Sequence, residues 1–344
     1  MLWSLRLIIL ILLSILVINT YAYGVSAQQD SKIRIVVTVD ILKLLVSPII
    51  GGKGEIVSIV PEGVEPHGFV LNPDVIRTAL NSDLIIITGH MEWESDLVER
   101  VAEEKGIQKS LISINLLELV RSRGRLLRLE GGENIHGFWL LPDNAILIAE
   151  SLREALSRIK PEYSGELSLN YDSFVAKVSS LKSFLKGLSE KYGSSGRKVV
   201  IGFYAEQYVV EALGLEVGEV LVGEEEAVKP ESLSRVYNGL RSGNYTCIVV
   251  SDTALLMSGV KNALQQVSAD TGCPIAYVSV VSTSSLKDYD ALMYYNAGQV
   301  YSALLSAQRP VSTGLDLFLL TILVAFLIII VETLFLVRRV RRRA

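Results

Sequence analysis

The chain has 344 residues, half of them apolar, a formal net charge of −4, two cysteines and three histidines. That length supports two lobes with separate cores. The negative balance deepens once the five arginines of the C-terminal tail are set aside, which excludes the basic face a nucleic-acid partner wants.

Residues 1–27 read as an export signal. Arg6 gives a positive start, 7–18 is an apolar run broken only by Ser14, and Val25-Ser26-Ala27 offers a cleavage site after Ala27. The alternative is an uncleaved N-terminal anchor, for which the run is short. The exported body begins with a strand over 33–39 and a helix over 41–50. Further strands are expected at 55–60, 83–88 and 110–114, mostly apolar, as strands covered on both faces should be. A short helix over 74–80 and a longer one over 93–104, stopped by Lys105-Gly106, lie between them. Residues 121–134 are basic and glycine-bearing and read as a surface loop.

Ala145, Leu147, Ile148, Leu152, Ala155 and Ile159 share one face of a helix over 143–159. Pro161 punctuates it. From 161 to 192 apolar residues recur at spacings of three and four, from Leu167 through Phe174, Val178 and Leu181 to Leu188, which predicts one long rigid connecting helix. A second alternating set follows: strands at 198–203, 216–222, 246–251 and 274–280, with helices at 205–213, after Pro230, at 254–269 and at 289–307. Alternation in both halves gives an α/β protein of two lobes, 28–160 and 197–308, bridged by that helix. The run Glu224-Glu225-Glu226 reads as a solvated turn. Cys247 and Cys273 open neighbouring parallel strands at one sheet edge; in an exported compartment they form a disulfide or stand as two free thiols.

Residues 317–337 form a near-continuous apolar run, long enough to cross a bilayer as a transmembrane helix over 314–337, followed by arginines within the tail 338–344. Clustered arginines stay in the cytoplasm, so the reading is a single-pass membrane protein whose body lies outside the cell. Glu332, inside that run, reads as a contact to a partner helix or to the interface.

One histidine, His67, stands between Pro66 and Pro73 in a loop that leaves a strand and enters a helix. Loops at the carboxyl ends of parallel strands line the binding crevice, where an imidazole nitrogen can meet a metal; the plain alternative is a solvated loop residue. His136 has a matching context: each histidine is followed by glycine and phenylalanine, then by a proline that resets the chain into a helix. His90 directly follows the third strand.

The motifs Glu65-Pro66-His67-Gly68-Phe69 with Asn72-Pro73-Asp74, Gly89-His90-Met91-Glu92-Trp93, Ile135-His136-Gly137-Phe138-Trp139-Leu140 with Pro142-Asp143-Asn144-Ala145, and Tyr294-Tyr295-Asn296 occur in an order that resembles the zinc/manganese ABC-transporter solute-binding protein family, over about residues 33–307. The resemblance implies two α/β lobes around one long helix, a divalent ion in the cleft, a permease and its ATPase as partners, and His67 and His136 as ligands. The family draws two more ligands from the second lobe, and there the chain departs: Phe203-Tyr204 stands where a histidine or glutamate is usual, and 279–283 holds no carboxylate. Glu206 and Asp252 are the candidates, against a helix first-turn role for Glu206 and a helix N-cap for Asp252. His90 is either a further ligand or a residue orienting one.

The expected function is capture of zinc or manganese by a monomer that is not an enzyme, with affinity falling below about pH 6 as imidazoles protonate. The alternatives are a binding protein for a non-metal or chelated solute on the same scaffold, a metal hydrolase, for which no His-Glu-x-x-His run exists, and a structural surface protein.

Overall fold

The computed structural model describes residues 32–223, 227–283, 285–307 and 314–341. The signal region 1–27, the acidic run 224–226 and the last arginines of the tail lie outside them. Ile33, Ile35, Val36 and Val37 are almost wholly buried because the strand they form, β1 (Ile33–Val37), has a neighbour on each side and helices above and below. β2 (Gly54–Ser58) and β3 (Leu84–Ile87) flank it in parallel, and β4 (Ser113–Asn115) pairs with β3. The order is β2-β1-β3-β4. The helices of this lobe are α1 (Lys43–Ile50), α2 (Pro73–Leu80), α3 (Glu92–Lys105) and α4 (Leu116–Arg123).

The segment expected as a loop, 121–134, is partly the end of α4 and partly a two-residue hairpin, β5 (Arg128–Leu129) and β6 (Gly132–Glu133). Likewise 110–114 is mostly a single helical turn at Lys109–Ile112, leaving three strand residues. Helix α5 (Pro142–Ile159) then packs on α6 (Ser164–Tyr192), whose 29 residues span roughly 40 Å. Leu167, Phe174, Val178, Leu181 and Leu185 form its buried stripe.

The second lobe holds strands β7 (Lys198–Ile201), β8 (Glu216–Val220), β9 (Ile248–Ser251) and β10 (Ile275–Val278), all parallel, in the order β10-β9-β7-β8. Counted in chain order this is the same arrangement as the first sheet: the second strand at one edge, then the first, third and fourth. Its helices are α7 (Glu206–Ala212), α8 (Pro230–Arg241), α9 (Val260–Thr271) and α10 (Tyr289–Ala307). The helix expected from 254 is split into a 3-10 turn (Ala254–Leu256) and α9, because Gly259 adopts φ +78° between them. Cys247 and Cys273 are buried free thiols, not a disulfide, and burial pushes both up to about 12.

The lobes are sewn together near the hairpin. Arg125 pairs with Glu211 at 2.6 Å, Leu127 N–H donates to the Tyr208 hydroxyl, and Gln207 donates to the Arg128 carbonyl. Across the cleft Trp139 Nε1 donates to the Val280 carbonyl and Ile41 N–H to Val281. The last helix, α11 (Gly314–Arg341), contains a 20-residue stretch, Leu320–Arg339, of mean hydropathy 2.9, none of it buried against the body.

Candidate metal centre

The loops at the carboxyl ends of both sheets meet in one crevice, and the three histidines converge there from the first lobe. One nitrogen from each ring lies within 4.8 Å of the others, and the ring centroids are 5.1–5.5 Å apart. Each ring is aimed by its own local chemistry.

His67 sits in the loop after β2. Glu65 folds that loop on itself: its carboxylate accepts from the backbone amides of His67 and Gly68, and from His67 Nδ1 at 2.6 Å. Trp93 Nε1 donates to the Pro66 carbonyl and its ring packs on Phe69, tying the loop to α3. With Nδ1 donating to a carboxylate, Nε2 is the nitrogen His67 offers.

His90 follows Gly89, whose φ of +92° and close approach to Asn115 exclude any side chain. Glu94, fully buried, gathers this turn: it accepts from Thr88 N–H at 2.8 Å, Gly89 N–H at 2.7 Å and the hydroxyls of Thr88 and Thr38. The Thr88 hydroxyl stands 3.0 Å from His90 Nδ1. Because that hydroxyl gives its one proton to Glu94, His90 Nδ1 must be the donor, which again leaves Nε2 carrying the lone pair.

His136 is placed by Asn134, whose side chain accepts from His136 N–H and donates to the Tyr204 carbonyl of the second lobe. Gly137 has φ +81°, and a Cβ there would meet the Ala205 carbonyl at 2.8 Å, so glycine lets the two lobes touch beside the ring. His136 Nδ1 is buried with no hydrogen-bond partner. Burial, aided by repulsion from His67, lowers the His136 pKa to about 4. Burial and then repulsion from His136 and His67 hold His90 well below the ordinary histidine range. Both are therefore neutral, ligand-ready imidazoles at neutral pH.

The second lobe supplies a wall. Phe203 packs 5.0 Å from the His136 ring, with Tyr204 stacked on it, and Ala205, Thr253 and Val281 complete that side of a cavity of about 20 Å³. The structure does not bring Glu206 or Asp252 to the cluster. Glu206 is fully buried and turned inward, accepting from Phe203 N–H at 2.9 Å and Ser251 N–H at 2.6 Å; burial pushes it up to about 7. Asp252 accepts from the amides of Thr253, Val280, Val281 and Ser282, and burial raises it too. Both carboxylates are committed to holding the strand ends and loops in place. His90, left open between ligand and orienting residue by its sequence, stands within the cluster. Sequence reasoning missed the orienting carboxylates Glu65 and Glu94; the only signal was their spacing, two before one histidine and four after another.

Three imidazoles around a space for one ion, two of them with tautomers fixed by Glu65 directly and by Glu94 through Thr88, make a donor set suited to zinc. Nitrogens each about 2.0–2.1 Å from one ion sit roughly 3.3 Å apart, so an ion would draw these rings slightly inward.

The model of the ZnuA family, described as zinc-uptake complex component A, periplasmic, matches residues 35–303. A metal ABC transporter substrate-binding lipoprotein of Lactococcus lactis is 27% identical over 289 residues, covering 80% of this chain and 89% of its own. The manganese ABC transporter substrate-binding lipoprotein PsaA of Streptococcus pneumoniae is 23% identical over 311 residues, covering 87% and 97%. Among solved structures, a periplasmic metal-binding protein from Candidatus Liberibacter asiaticus superposes with a TM-score of 0.65 at 20% identity, over 79% of this chain and all of that one.

Proposed function

Because the chain belongs to the family of periplasmic zinc-uptake complex component A, we propose that it is the solute-binding component of an ABC transporter, capturing a divalent metal ion between its lobes and handing it to a membrane permease driven by its ATPase. The observation that carries this is the convergence of His67, His90 and His136. Three nitrogen donors without a carboxylate favour zinc over manganese, whose chemistry calls for oxygen ligands. The cavity of about 20 Å³ at the histidines admits an ion or a water, which supports a bare ion there.

The apolar stretch of α11 is the proposed anchor, a single span with the binding body outside the cell. A tether there replaces diffusion with a high local concentration beside the permease. No catalytic role is assigned, and the body is proposed to act as a monomer.

Titration of the full chain in detergent tests the reading. One zinc should bind per chain, with manganese at least a hundredfold weaker. His67→Ala, His90→Ala and His136→Ala should each weaken zinc by about a thousandfold or more, since a site of three protein ligands loses one. A chain that takes up no metal, or three variants that bind like the parent, would overturn it.

A further inference from the structure

Three first-lobe ligands would leave a tetrahedral ion with one position open, and the second lobe walls part of the cavity around it. The side chains which that lobe presents to the cavity are Phe203, Ala205, Thr253 and Val281. Only Thr253 among them carries a polar atom. Its hydroxyl is buried and has no hydrogen-bond partner, while the residue itself is 5% exposed. A buried hydroxyl left unpaired costs free energy, so its persistence points to a partner that arrives with the ligand. Its backbone is fixed by Asp252, which accepts its amide and pins the facing loop 280–282. Thr253 also lies at a boundary. With Val39 and Val281 it lines both the histidine cavity and a wider, water-accessible cavity of about 310 Å³ beside it.

We propose that Thr253 is the residue through which the second lobe holds the ion: its hydroxyl accepts a hydrogen bond from a water bound at the fourth coordination position. This rests on the three-histidine reading of the site. The first lobe supplies every protein nitrogen, and the second supplies a positioned oxygen that fixes the water and shields it from the wide cavity. Thr253 is a positioning residue and does not itself bond the metal.

The test compares the full chain in detergent with Thr253→Val, which keeps the shape and deletes the hydroxyl, and Thr253→Ser, which keeps the hydroxyl. Zinc affinity is read by competition with a chromophoric chelator, cobalt(II) visible spectra report coordination, and melting is recorded without metal. Thr253→Val should weaken zinc about tenfold or more, change the cobalt spectrum, and melt without metal at the parent temperature or above, because it removes an unpaired polar group. Thr253→Ser should stay within a few fold of the parent in affinity and match its spectrum. A purely structural role would instead lower metal-free melting in Thr253→Val, and that result overturns the proposal. So does unchanged affinity with an unchanged spectrum while the parent binds zinc, an outcome that leaves the metal-capture function standing. A parent chain that binds neither zinc nor cobalt overturns both.

Discussion

The two lobes share one strand order and differ in what they place at the ends of the strands. In each, the loops after the first and third strands open at the switch point of a parallel sheet, where ligands bind in such folds. The first lobe uses part-buried Glu65 and fully buried Glu94 to aim histidines into the crevice. The second uses Glu206 and Asp252 to satisfy its own backbone amides and presents Phe203, Ala205 and Val281 outward. A carboxylate at a strand end is therefore not evidence of a ligand. What decides is which protons surround it.

That contrast marks how far the sequence could be read. His67 and His136 were legible because a histidine followed by glycine and an aromatic, then by a helix-starting proline, repeats 69 residues apart, a pattern with local causes. The alternation of strands and helices, and the long helix, followed from apolar periodicity. The second-lobe acids were not legible. Three of the four amides that engage Asp252 lie 28 to 30 residues away, in a loop no local pattern connects to it. The hairpin at 128–133 was missed because its strands are two residues each, and the split at Gly259 because one left-handed glycine interrupts an otherwise helical pattern.

The largest test of the contrast removes a second-lobe acid. Glu206→Ala strands the amides of Phe203 and Ser251 and opens a hole in a fully buried site. We expect a loss of about 4 kcal/mol in stability, read by denaturant unfolding. Zinc affinity, measured where the variant is folded, should change by less than tenfold. A thousandfold loss of zinc with stability intact would make Glu206 a ligand and erase the difference between the lobes.

A pH series sharpens the same comparison, because burial acts with opposite sign on the two sides. His136 falls from 6.5 to about 4 in the folded chain, so the unfolded chain binds more protons between those values and the first lobe loses stability as pH drops through that window. Glu206 rises from 4.5 to about 7, so the folded chain binds more protons there and the second lobe gains stability as pH drops. Each shift is worth about 3 kcal/mol, and global unfolding would show them partly cancelled. Amide hydrogen exchange, corrected for intrinsic rates, should separate them: metal-free protection falling in the first lobe and rising in the second from pH 7 to pH 5. The proton competition that His136 itself contributes to zinc binding should begin only well below pH 6, near its value of about 4. Equal slopes in both lobes would mean that the burial asymmetry is absent in solution.

The smallest effect comes from a matched pair of amide substitutions. Glu65→Gln keeps one acceptor oxygen but replaces the other with an N–H₂ that cannot accept, in a cluster where all three partners are donors: the His67 and Gly68 amides and His67 Nδ1. Either the loop amides or the ring loses its carboxylate, and the ring then loses the tautomer that exposes Nε2. Zinc should weaken by roughly ten- to a hundredfold, the usual effect of removing such an orienting group. The metal-free stability should barely move, since the loop is part-buried and water can reach the vacated site. Asp252→Asn makes the same chemical change in the second lobe, where four amides converge on one carboxylate. It should do the reverse, lowering metal-free stability by about 1–3 kcal/mol and moving zinc affinity only as far as Thr253 shifts. If the two substitutions instead produced the same pattern of losses, carboxylates in both lobes would be serving the ion alike, and a site built from one lobe and covered by the other would have to be abandoned.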